Sequence, residues 1–147
     1  MIVPFQFSYT TASRNEHSRT YQIGGWYDAA KYSDPVDDDL GGLAVLSGRP
    51  QATRHGRSGA YLSVDQVVWR PAGDAERSLR LFGLVMAKVS GRVNEDRFLQ
   101  FGLVQTGTFP SRRTDSVAFV INDQTFSRLA LHNIRAARAS RGNNDDL

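Results

Sequence analysis

Hydrogen-bonding groups, rather than nucleophiles or metal ligands, dominate the reactive inventory of this 147-residue sequence. Asp65, Arg80, Lys88 and Gln100 fall on the polar sides of segments that alternate between apolar and polar residues. Their carboxylate, guanidinium, ammonium and amide groups suit a hydroxyl-rich ligand. The plainer reading is a polar wall whose charges pair with one another. Arg112, Arg113 and Asp115 crowd one short basic turn, which equally reads as a solvated hairpin connection. Trp26, Tyr27 and Trp69 present apolar plates with polar rims on which a ring-shaped ligand can stack. Their nearness to segment ends favours anchoring at a membrane–water interface instead.

Other chemistries find little support. Asp37, Asp38 and Asp39 offer the oxygen ligands a hard cation wants, but without the alternating spacing and closing glutamate of an EF-hand loop. A solvated acidic loop is expected there. His17, His55 and His132 are scattered and match no zinc-ligand spacing. Cysteine is absent, which removes disulfides, thiol nucleophiles and thiolate metal sites together. No Gly-x-Ser-x-Gly elbow, phosphate-binding loop or dinucleotide fingerprint occurs. The sequence therefore points to no enzyme and calls for no cofactor or metal. The 18 Lys+Arg are interspersed with 15 Asp+Glu for a net charge of +3, and only Arg128 to Arg141 is locally basic. A nucleic-acid binder would gather its positive charge on one face, so nucleic acid is not an expected partner.

The elements that position these residues follow a period of two. Six segments carry it: Ile2 to Thr10, Thr20 to Ala29, Gly59 to Arg70, Ser78 to Val89, Arg97 to Phe109, and Ser116 to Phe126. Glycines inside several of them would each cost a helix about 1 kcal/mol relative to alanine, which adds to the case for strands. The later segments approach the ~9–11 residues of a membrane-crossing strand rather than the ~5–6 usual in water-soluble sheets. Ala60, Leu62 and Val64 alternate with Ser63 and Asp65. Leu79, Leu81, Val85 and Ala87 alternate with Arg80 and Lys88. Leu99, Phe101 and Leu103 alternate with Gln100, Gly102, Val104 and Thr106, and Val117, Phe119 and Ile121 with Ser116, Ala118, Val120 and Asn122. Apolar side chains toward lipid and wet ones toward a lumen make this pattern in a barrel wall. Phe82, Leu84 and Met86 break it by sharing the face of Arg80. Breaker-rich turns over 70–77, 90–96 and 110–115 contrast with a polar segment, 31–57, that reads as one long irregular loop. A short helix is expected from Leu129, followed by a polar tail. No run of ~18 apolar residues marks a membrane helix, and the amino terminus does not read as a secretory signal.

The ordered set of strands resembles the OprB-type carbohydrate-selective porins. Tyr21-Gln22-Ile23-Gly24-Gly25-Trp26-Tyr27-Asp28 is similar to that family's Ile-Gly-Gly strand. Gly59 to Arg70 is similar to its strand containing Asp-Gln and ending in an aromatic-Arg pair, and Gly102 to Asp115 to a later strand with its Arg/Asp turn. The resemblance runs from about Pro4 to Arg128. It implies an all-β fold, an antiparallel up-and-down meander of about six long strands forming an open part of a transmembrane β-barrel. Residues 1–128 would be partial barrel wall, and 129–147 a helical or disordered tail. The implied function of the intact protein is passive diffusion of sugars across the outer membrane of a Gram-negative bacterium. Sugars and outer-membrane lipid would be its partners, and a homo-oligomer of the parent remains open. Asp65, Arg80, Lys88, Gln100, Arg112, Arg113 and Asp115 would face the pore or its mouth. Because the family is several hundred residues long, the sequence is expected to be a fragment. The alternative is a soluble antiparallel sandwich or lipocalin-like binding module.

Overall fold

The computed structural model describes residues 1–11, 17–74, 76–109 and 111–142. Six strands are present: β1 (Ile2–Thr11), β2 (Arg19–Asp38), β3 (Gln51–Trp69), β4 (Ser78–Ser90), β5 (Glu95–Thr106) and β6 (Ser116–Phe126). They lie in one sheet in chain order, each antiparallel to the next. A one-turn helix α1 (Ala44–Ser47) sits at the tip of the β2–β3 hairpin, and α2 (Arg128–Ala139) follows β6. The architecture is the expected all-β antiparallel meander with a carboxyl-terminal helix.

Register shows why the alternation in sequence becomes two distinct faces. Phe7, Ile23, Leu62, Val85 and Leu99 stand opposite one another across five strands. One residue away, Ser8, Gln22, Ser63, Leu84, Gln100 and Asn122 form the adjacent row, pointing to the other side. Successive side chains in a strand alternate faces, so a slip of one residue would exchange the two rows. The face carrying Phe7 is apolar and uncovered: Phe7 is 70% exposed, Phe119 64% and Phe101 48%. The only buried hydrophobic residues among those described are Val36, Val67 and Ala130. A water-soluble sandwich would bury such a face against a second layer. The soluble-module alternative is therefore not favoured.

The segment expected as a long irregular loop is largely strand. β2 runs on to Asp38 and β3 begins at Gln51, with irregular register between Asp28 and Lys31 and between Ser33 and Asp38. Pairs such as Tyr32 with Arg54 and Ser33 with Thr53 carry no hydrophobic alternation, so the extension has no period-two signature. The fifth segment also ends earlier than expected, at Thr106, because Gly107 turns the chain at φ +70°. At the opposite end, Gly91 (φ +93°) makes the β4–β5 turn; a Cβ there would lie 2.5 Å from the Cβ of Arg57. Only glycine accommodates both that conformation and that approach.

Helix α2 is tied to the hairpin extension. The Ser127 hydroxyl accepts a hydrogen bond from the Ala130 N–H at 3.1 Å, capping the helix, and its own N–H donates to the Asn94 carbonyl at 2.8 Å. Asn133 Nδ2 donates to the Pro35 carbonyl at 3.1 Å. Val36 and Ala130 are buried in this corner.

Candidate functional site: the polar face of the sheet

Short polar side chains on β1, β2 and β3 meet as a hydrogen-bonded belt because antiparallel register sets them directly opposite one another. Ser63 donates to Gln22 Oε1 at 2.9 Å, Gln6 Nε2 to Ser8 Oγ at 2.8 Å, and Gln22 Nε2 to Ser8 Oγ at 3.4 Å. Tyr61 reaches across the strand to donate to Gln6 Oε1. It lies over Gly24, where an added Cβ would come within 2.6 Å of its ring and hydroxyl. Thr10 and Thr20 extend the belt, their hydroxyls 3.3 Å apart. These groups are uncharged, and each retains further hydrogen-bonding capacity.

Asp65 and Arg80 close the belt at its β3–β4 side. Arg80 Nε donates to Asp65 Oδ1 at 2.7 Å, and Nη2 lies 2.6 Å from Oδ2, a two-pronged pairing. Lys88 pairs with Asp96 on the same face, and Gln100 stands between Leu84 and Asn122. Beyond the ion pair the face turns apolar. Phe82 lies over Gly102, whose missing Cβ would be 2.3 Å from the ring, and Met86 stands opposite Tyr61 and Phe98. Phe82, Leu84 and Met86 thus share the face of Arg80, as their parity in sequence indicated.

The remaining residues singled out from sequence are more dispersed. Arg112, Arg113 and Asp115 lie in the β5–β6 turn, where Arg112 Nε pairs with Asp115 Oδ2 at 2.7 Å. Trp26 projects on the polar face, over Gly59. Tyr27, one residue on, is 50% exposed on the apolar face. Trp69 stands opposite Leu79, with the Arg77 guanidinium 5.9 Å from its ring centre. Gln6, Ser8, Gln22, Tyr61 and Ser63 were not legible as a group, because only the register brings them together.

A second polar cluster lies beyond the apolar band, in the hairpin extension. Asp34 is fully buried; its Oδ2 lies 2.8 Å from Arg54 Nε and 2.8 Å from Arg92 Nε, the latter a contact without hydrogen-bond alignment. Asp37 meets the same two guanidiniums at 3.1 and 2.9 Å. Asp34 Oδ1 also accepts the N–H groups of Val36 and Asp37. Burial opposes ionisation of Asp34, but the Asp37 N–H, the Arg54 guanidinium, the Val36 N–H and Arg92 outweigh it and hold the carboxyl below its ordinary range. The Ser47 hydroxyl and the Gly42 and Leu40 N–H groups lower Asp38 in the same way, and Arg49 lowers Asp39. The acidic run is thus a set of separately paired carboxylates. Among the described residues no group of three or more histidine, aspartate or glutamate side chains is arranged to hold a metal.

Comparison with known proteins places this sheet. The model of the carbohydrate-selective porin, OprB family, matches residues 1–146. The chain belongs to the OprB porin family. The match extends through α2, beyond the Arg128 limit of the resemblance seen in sequence. Porin B of Pseudomonas aeruginosa is 30% identical over 118 residues, covering 77% of this chain and 26% of that porin. The high-pH structure of Pseudomonas putida OprB superposes with a TM-score of 0.84 at 26% identity, over 98% of this chain and 34% of that one. The six strands therefore correspond to part of an OprB porin barrel, spanning about a third of that barrel chain.

Proposed function

We propose that these strands form part of the wall of a sugar-conducting barrel in a Gram-negative outer membrane, apolar face toward lipid and polar face toward a water-filled lumen. The observation that carries this reading is the pair of adjacent rows, four exposed apolar residues and the half-buried Leu99 beside a row that is polar except at Leu84. Lipid requires the first and a wet channel tolerates the second. Residues 1–128 act as wall and 129–147 as a tail whose helix braces the hairpin extension.

In this role the protein performs no bond chemistry. A sugar entering a narrow lumen sheds part of its hydration, and the lining replaces it with hydrogen bonds that are individually weak. The neutral belt of Gln6, Ser8, Gln22, Tyr61 and Ser63 offers donors and acceptors without attracting ions. Asp65 and Arg80 supply charged partners whose net field is small because they pair. Lys88, Gln100 and the turn residues Arg112, Arg113 and Asp115 are proposed to contribute at the wall and mouth, and Trp26 to offer a stacking surface. Tyr27 and Trp69 are proposed as interface anchors.

Sugar flux into proteoliposomes tests this, using a closed barrel that carries these six strands. Gln22→Leu or Arg80→Ala is expected to slow sugar entry roughly 3- to 10-fold, the worth of about one net hydrogen bond. Arg80→Ala should also shift ion preference toward cations, because Asp65 is left unpaired. Unchanged flux and unchanged ion preference in both variants would remove the polar face from the conduction path.

A further inference from the structure

The apolar face carries a depression of about 570 Å³. Its floor is Gly83, which lacks a side chain between Val64 on β3 and Phe101 on β5. Val85, Leu99 and Ile121 complete the walls, and Asp123 stands at one end. One register step further along β5 and β6 is Arg97, opposite Thr125. Arg97 and Asp123 are thus the first charged residues past the apolar rows of these two strands. They are held only loosely to one another: Arg97 Nη2 is 3.8 Å from Asp123 Oδ2 and donates to Thr125 Oγ1 at 3.4 Å, with both charged side chains more than half exposed.

A charge pair at the rim of a hydrocarbon-facing groove costs free energy unless something completes it. The geometry points to one phospholipid with a phosphoethanolamine headgroup, bound with an acyl chain in the Gly83 groove. Its phosphate oxygens accept from the Arg97 guanidinium and its primary ammonium donates to the Asp123 carboxylate. The groove supplies the apolar half of the site, and the opposed charges match a zwitterion better than a purely anionic headgroup, which Asp123 repels. A quaternary ammonium carries no N–H to donate to Asp123, so phosphocholine is the poorer match. This inference rests on the proposal that the apolar face meets lipid.

The test uses a closed barrel that carries these six strands, inserted in nanodiscs of equimolar phosphatidylethanolamine, phosphatidylcholine and phosphatidylglycerol, released with detergent and weighed by native mass spectrometry. One phosphatidylethanolamine is expected to remain bound in about tenfold excess over either competitor, as charge-assisted hydrogen bonds would give. Arg97→Gln and Asp123→Asn should each abolish that preference. Gly83→Val should lower retention of all three lipids by filling the groove. Gly83→Ala places its methyl no nearer than 3.3 Å to Val64, so it should give a smaller loss with the circular dichroism of the sheet unchanged. Equal retention of the three lipids, indifference to Arg97→Gln, or a dimer that closes the groove with a second copy would overturn the inference. A closed barrel that never enters the disc would instead refute the membrane-wall reading on which it rests.

Discussion

Replacing Asp34 with asparagine probes what holds the hairpin extension to the β4–β5 turn. The substitution keeps an oxygen for the Val36 and Asp37 N–H groups but removes the charge between Arg54 and Arg92. Breaking a buried ion pair typically costs ~3–5 kcal/mol. Here Arg54 and Arg92 retain 42% and 31% exposure and keep Asp37 at 3.1 and 2.9 Å, so part of the loss returns as hydration. About 2 kcal/mol is expected for Asp34→Asn, near the worth of one hydrogen bond to a charged group. Asp34→Ala also orphans the two N–H groups, adding roughly 1–2 kcal/mol. The readout is amide hydrogen exchange at Val36, Asp37 and Arg92, whose N–H donates to the Tyr32 hydroxyl. Asp34→Asn should speed it about 30-fold, since each 1.36 kcal/mol is a factor of ten, and Asp34→Ala should speed it more. Because the folded-state pKa of Asp34 is depressed, its contribution is fully present above the ordinary carboxylate value of about 3.9. It is lost as pH falls below that value and through the folded one. Unchanged exchange in both variants would refute the clamp. Equal acceleration at Leu62 and Phe101 would show that the cluster supports the whole sheet rather than this corner.

Three further outcomes follow from packing and topology. Gly102→Ala drives a methyl into the Phe82 ring and should lower stability by about 1–3 kcal/mol, read as a lower denaturant midpoint; an unchanged midpoint would mean that Phe82 moves away freely. Gly91→Ala should cost more than an ordinary turn substitution, because a Cβ there meets Arg57 in a positive-φ conformation, and accelerated exchange at Arg92 would report it. The six strands leave the outer edges of β1 and β6 without partners among the described residues. Because even ~8-stranded barrels fill their interiors with side chains, planar bilayers with this chain alone should show no stable conductance steps. Regular steps would mean that copies close a channel by themselves.

The wall of the barrel was legible wherever burial preference alternates. The expected strands 59–70, 78–89 and 116–126 meet observed β3, β4 and β6 closely at their membrane-crossing parts, and the facing of Leu62, Val85 and Phe119 follows from parity alone. The hairpin extension was not legible. Asp34, Arg54 and Arg92 are held by charge, and ion pairing between distant strands leaves no periodic trace. The neutral belt was missed for a related reason: Gln6, Ser8 and Gln22 are unremarkable singly, and only antiparallel register joins them to Tyr61 and Ser63. Trp26 and Tyr27, taken together as interface aromatics, point to opposite faces because they are neighbours in one strand. The Gly24–Tyr61 and Gly102–Phe82 contacts likewise needed coordinates, since a glycine in sequence does not say which ring covers it.

Single cysteines at neighbouring positions test the two-faced wall most directly, because the chain has none of its own. Ser8, Gln22 and Ser63 on one face, and Phe7, Ile23 and Leu62 on the other, differ in depth within each pair by only about 3.3 Å. In a membrane-inserted closed barrel carrying these strands, a water-soluble maleimide should modify cysteine at the first three positions and spare it at the second three. Equal labelling within the pairs, or labelling of Phe7, Ile23 and Leu62 in preference, would contradict the assignment of lumen and lipid.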